Sequence, residues 1–81
     1  MEYTEFKKDV LTICSEPELA VGIWICPTTE ALKIMLHWAD RMEEEEGVEV
    51  DSLINKNGED YTLYISNAKD VRGILREENM Q

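Results

Sequence analysis

The sequence predicts an α+β fold with the element order α-β-α-β-β-α, in which helices pack on a three-stranded mixed sheet. Three observations carry that prediction. Apolar residues recur at helical spacing between Ala31 and Met42, an uncharged run from Leu19 to Cys26 is rich in β-branched and aromatic residues, and Asn57-Gly58 divides two strand-like segments.

The first element is a short helix over residues 3–14, where Tyr3, Phe6, Val10 and Ile13 stand three and four positions apart with Leu11 beside them. Ser15-Glu16-Pro17 ends it, because a residue that precedes proline is pushed out of the α region. Residues 19–26 follow as a strand apolar on both faces, with Val21, Ile23 and Ile25 on one and Trp24 and Cys26 on the other. Pro27-Thr28-Thr29 supplies a hydroxyl that can cap a helix start, and Glu30 suits its first turn. The second helix should run from about residue 29 to 45, its stripe formed by Ala31, Met35, Trp38 and Met42 and widened by Leu32, Leu36 and Ala39.

Val48 to Lys56 and Glu59 to Ser66 then read as the arms of a hairpin. A two-residue type I′ turn at Asn57-Gly58 would oppose Ile54 to Tyr61, Ser52 to Leu63 and Val50 to Ile65, leaving Asp51, Leu53, Thr62 and Tyr64 on the other face. Asn67 is placed to cap a last helix that buries Ala68, Val71, Ile74 and Leu75, before a charged tail, residues 76–81, that is expected to fray. A helical crossover between the first two strands would make them parallel neighbours, with the third antiparallel to them. Strand 19–26 then lies at a sheet edge, and with no charge to blunt that edge it should be covered by a helix or paired with a second copy.

The 81 residues suit one domain, residues 1–81, with a single core and no deep cleft. Eighteen acidic against eight basic residues give a net charge of −10, which disfavours direct contact with nucleic acid, since phosphates require clustered Lys and Arg. Cys14 and Cys26 lack metal-ligand spacing and read as reduced thiols. The longest uncharged run, Leu19 to Thr29, is far shorter than the roughly 20 residues that span a bilayer, and no targeting segment is visible. The cytoplasm is the expected compartment, and no membrane partner is expected.

Chemistry-bearing motifs are scarce. His37 is the only histidine, so no nucleophile-base pairing follows from spacing, and it reads as structural or surface-lying. Aligning Gly58 with the glycine of a calcium loop puts Leu53 and Tyr64 at positions that need acidic ligands. Four scattered glycines form no phosphate-binding loop. The sequence therefore assigns no catalytic residue, no metal site and no cofactor, and an enzyme is not expected.

The charge itself is the main signal. From Asp40 to Asp60 nine acidic residues stand against Arg41 and Lys56, a local charge of −7. Glu43, Glu44, Glu45 and Glu46 advance about 100° each around a helix, so they cannot share one face. They also sit where the helix dipole favours cations, so their end of the helix is expected to project into solvent before Gly47 closes it. In size and charge the chain resembles the small acidic DNA mimics that phages and mobile elements make against restriction or CRISPR systems. That resemblance involves no shared motif; it implies an inhibitor or regulator that presents Asp40, Glu43, Glu44, Glu45, Glu46, Glu49 and Asp51 to a basic, nucleic-acid-binding partner protein. The alternative is a structural or assembly module that forms a homodimer through Val21, Ile23, Trp24 and Ile25 of strand 19–26 or through a helix face, with the acidic run serving solubility.

Overall fold

Residues 1–67 are described in the computed structural model. They form α1 (Tyr3–Ser15), β1 (Val21–Cys26), α2 (Thr29–Glu46), β2 (Asp51–Asn57) and β3 (Asp60–Ser66). The helix expected after Asn67 and the charged tail lie outside the described residues. Local chemistry sets the ends of α2. The Thr28 hydroxyl accepts the Ala31 N–H at 3.1 Å, and Gly47 takes the left-handed conformation, φ 65°, that a side chain would resist, while its N–H closes on the Glu43 carbonyl.

The sheet is antiparallel throughout, with strand order β1-β3-β2. The expectation of a mixed sheet with β1 beside β2 is therefore corrected: those two strands share a direction, but β3 lies between them. The reason is burial. β3 carries Leu63 and Ile65 on one face and Thr62 and Ser66 on the other, all four buried, whereas β2 is exposed along most of its length. The centre of the sheet goes to the strand that can bury both faces.

The hairpin is also shifted. Asn57 pairs with Asp60, so the two-residue loop is Gly58-Glu59, and Ile54 lies opposite Leu63 rather than Tyr61. Within this loop Gly58 alone takes a positive φ, 63°, which is the requirement of a type II′ turn; the type I′ turn expected at Asn57-Gly58 would need Asn57 left-handed as well. The shift moves each partner by two positions, so the side chains keep the faces that the alternation assigned them. It lets Asn57 Nδ2 donate to Thr62 Oγ1 at 3.2 Å and sets the Lys56 ammonium 5.8 Å from the Tyr61 ring centroid.

Both helices pack on the sheet face that carries Gly22, Trp24, Cys26, Leu63 and Ile65, with contacts falling mainly on β1 and β3. The core joins Phe6 and Val10 of α1 to Leu32, Met35, Ala39 and Met42 of α2 over that face. Aromatic rings run through it: Phe6 lies 5.2 Å from Trp24 and 5.7 Å from Trp38, which in turn is 6.0 Å from Tyr3, all tilted as ring quadrupoles prefer. Gly22 allows this approach, since a Cβ there would lie 2.5 Å from both Ile13 Cδ1 and Trp24 Cη2. Trp24, Met35 and Met42 thus fill the core, and Trp38 flanks it.

The stretch between α1 and β1 is held by Asn67. Its Nδ2 donates to the carbonyls of Glu18 at 2.9 Å, Ile13 at 3.1 Å and Glu16 at 3.3 Å, and its Oδ1 accepts the Ala20 N–H at 3.1 Å. Its side chain is therefore committed to this loop.

Candidate functional site

Two surfaces follow from this arrangement, one charged and one apolar. The charged one is built where the C-terminal end of α2 meets the start of α1. Glu45 accepts hydrogen bonds from the Tyr3 hydroxyl and from Lys7 Nζ at 3.3 Å, and its other oxygen takes Arg41 Nε at 3.3 Å. Glu46 pairs with Lys7 at 2.8 Å, and the Arg41 guanidinium lies over the Tyr3 ring, 4.1 Å from its centroid. Glu43 Oε2 accepts the Val50 N–H at 3.2 Å, tying the helix end to the approach to β2.

The helix end is solvent-exposed as expected at Glu44, Glu45 and Glu46, but three of the four consecutive glutamates, Glu43, Glu45 and Glu46, are also engaged within the chain. The unfavourable dipole interaction is offset by a cation from the other helix: Lys7 stands in for the basic last turn that α2 lacks. The hydrogen bond from Tyr3, followed by that from Lys7, lowers the pKa of Glu45 below its ordinary value. Burial and the bond to Glu45 raise that of Tyr3, and the bond to Glu46 raises that of Lys7. Asp40, Glu44 and Glu49 are exposed and make no hydrogen bond or ion pair among the described residues. Asp51 is half-buried opposite Ser66, with Oδ2 buried and without a hydrogen-bond partner among the described residues. Of the seven carboxylates named from the sequence, Asp40, Glu44 and Glu49 are exposed without an intrachain partner among the described residues, and Glu45 and Glu46 are exposed but paired.

The apolar surface is the face of the sheet turned away from the helices. Direct cross-strand neighbours share a face, so its rows are Val21-Ser66-Asp51, Ile23-Tyr64-Leu53 and Ile25-Thr62-Asn55. Ile23 is 62% exposed, Ile25 70% and Val21 38%, an unusual concentration of accessible aliphatic side chains on one strand. Trp24, grouped with them from the sequence, lies on the opposite face and is 8% exposed, so it belongs to the core and not to this surface. The period-two alternation of the strand was the signal that separates them.

No strand pairs with the outer side of β1 among the described residues. Which backbone groups face that side follows from Ala20. Its carbonyl accepts the Asn67 N–H at 3.4 Å and its own N–H meets Asn67 Oδ1, so the polar groups of residue 20 point toward β3. By alternation those of Gly22, Trp24 and Cys26 point the same way, and those of Val21, Ile23 and Ile25 point to the free edge.

Elsewhere the chemistry is sparse. His37 is exposed, Cys26 is buried with its Sγ 3.4 Å from Met35 Sδ, and Cys14 is half-buried. Both thiols are free, and burial raises their pKa values, with Glu43 adding to the effect at Cys14, so neither is activated as a thiolate. A shallow groove runs along α1 past Thr4, Lys7, Lys8, Leu11, Thr12 and Ser15. Among the described residues no group of three His, Cys, Asp or Glu side chains could hold a metal ion, and no helix is long and apolar enough to cross a membrane.

Among the described residues this is a small α+β protein in which two helices pack on one face of an antiparallel three-stranded sheet. No protein-family model, curated protein or solved structure matches the chain.

Proposed function

We propose that the chain is a non-enzymatic assembly module that forms a homodimer through β1, its acidic surface keeping it soluble and its other faces apart. The observation that carries this reading is the exposure of Val21, Ile23 and Ile25 on an edge strand without a single charge. An apolar edge of this kind is normally blunted by charge, proline or cover in a monomer. In a chain of net charge −10 it is also a surface on which two copies meet without like charges in register.

Sedimentation equilibrium at low and high salt tests the reading. A dimer is expected that persists when salt is raised and when Glu44 and Glu49 are changed to Gln, and that is lost in Ile25→Lys. A monomer at every concentration, or a dimer unaffected by Ile25→Lys, would overturn it.

A second reading has its own support. Asp40, Glu44 and Glu49 are exposed and unpaired among the described residues, and carboxylates so placed can stand in for phosphates before a basic groove. An inhibitor or regulator of a nucleic-acid-binding protein would use them in this way. It predicts a specific partner held at low salt, released at high salt, and lost when these three residues are reversed to Lys. Retention of every specific partner by that variant rules the second reading out.

A further inference from the structure

We infer that two copies join edge to edge in antiparallel fashion about a twofold axis at Ile23, giving one continuous sheet in the order β2-β3-β1 and then the partner's β1-β3-β2. The inference rests on the homodimer reading above and specifies its geometry.

The backbone fixes the register. Within β1, Val21, Ile23 and Ile25 turn their N–H and C=O groups to the edge that no described strand occupies. In an antiparallel pair those three residues must meet one another. The register that pairs all three, rather than leaving one unmatched, sets Ile23 opposite its own copy and Val21 opposite Ile25, each pair exchanging two backbone hydrogen bonds. The pairing is self-complementary, as a twofold interface requires. It also sets the exposed aliphatic side chains of both copies in one row on the face away from α1 and α2, where cross-strand β-branched pairs stabilise each other.

Charge selects the antiparallel arrangement over the parallel one. The end of the sheet at Val21 carries the Glu16–Glu18 loop held by Asn67, the Glu43–Glu46 run and Glu49, which outnumber the Lys7 and Arg41 paired there. The other end, at Cys26, carries the start of α2 with its Lys33 and the hairpin with Lys56, where bases nearly balance acids. Antiparallel pairing sends the two acidic ends to opposite ends of the joint sheet and brings each toward the positive pole of the partner's α2. Parallel pairing would set the two acidic ends side by side.

Disulfide trapping, with sedimentation alongside, tests this. In a full-length chain carrying Cys14→Ser, the Ile23→Cys variant is expected to form a symmetric inter-chain disulfide under mild oxidation, because Cα atoms of such a pair lie about 5.5 Å apart. Ile25→Cys is expected not to, because in this register its own copy lies four residues along the strand, about 13 Å away. Ile23→Lys, at an exposed position that leaves the fold intact by circular dichroism, should weaken the dimer roughly a hundredfold, from two lost isoleucine contacts and two opposed charges. A dimer that crosslinks through Ile25→Cys and not through Ile23→Cys overturns this geometry and leaves the homodimer reading standing. A strict monomer overturns both.

Discussion

Asn67 gives the sharpest test of how the fold is tied together. Its amide group meets three carbonyls and one N–H of the segment between Ile13 and Ala20. Asn67→Ala removes all four contacts. Those with Ile13 O and Ala20 N are partly buried, and each should be worth about 1 kcal/mol, whereas the exposed carbonyls of Glu16 and Glu18 rehydrate at little cost. The expected loss is about 2 kcal/mol, or a fall in Tm of roughly 8–16 °C for a domain of this size. Asn67→Asp has the same shape and keeps the acceptor for the Ala20 N–H, yet it turns a carboxylate oxygen toward three carbonyls. It should therefore cost more than the alanine variant, about 3 kcal/mol, at neutral pH. Those carbonyls disfavour the ionised acid and raise its folded pKa, so its excess penalty should appear as pH rises through the ordinary carboxylate value and shrink as pH falls below it. Urea denaturation followed by circular dichroism at neutral and acid pH measures both. An aspartate variant as stable as the alanine one at neutral pH, or an alanine variant within about 0.5 kcal/mol of the parent chain, would refute the clasp.

The hairpin and the charged latch give two further predictions. Gly58→Ala should cost about 1–2 kcal/mol, since Gly58 is the one hairpin residue with positive φ, while Asn57→Gly should bring no gain of the kind a left-handed Asn57 would show; equilibrium unfolding of the two variants decides between type II′ at Gly58-Glu59 and type I′ at Asn57-Gly58. The Tyr3-Lys7-Glu45 cluster should leave stability flat through neutral pH. Glu45 has a lowered pKa, so its contribution is present above the ordinary glutamate value and is lost as pH falls through the lowered one; Tyr3 and Lys7 have raised values, so theirs is lost as pH rises through those. Thermal melts across pH should show the acid limb flattened in Glu45→Gln.

Much of the architecture is written in local pattern. The stripe from Ala31 to Met42, the Thr28 cap and the Gly47 stop place α2 to within a residue or so, because each depends on neighbours in sequence. The partner of β1 is a different matter, since a tight hairpin makes β2 and β3 adjacent but leaves open which of them accepts a third strand. Composition held the clue: Asp51-Ser52-Leu53-Ile54-Asn55-Lys56-Asn57 is too polar for the centre of a sheet, while Tyr61 to Ile65 is apolar enough on both faces. The engagement of Glu45 with Tyr3 and the reach of Asn67 to Ile13 span 42 and 54 positions, and no periodicity encodes contacts of that range. Of the two candidate surfaces, the exposed isoleucines follow from strand alternation, whereas the pairing of Glu43, Glu45 and Glu46 depends on where α1 comes to rest.

The strand order has a consequence for how the molecule is made. Because β3 is both the middle strand and the last of the three in sequence, β1 cannot receive a hydrogen-bonding neighbour until about 40 further residues have been added, from Cys26 to Ser66. At translation rates of about 5–20 residues per second, that leaves an aliphatic strand unpaired for roughly 2–8 s on every ribosome that makes the chain. Neighbouring nascent chains on one message pass through the same interval, and the strand that waits is the one with the fewest charges to keep them apart. Expression yield should therefore respond to chaperone supply and growth temperature more steeply than the stability of the finished protein would suggest.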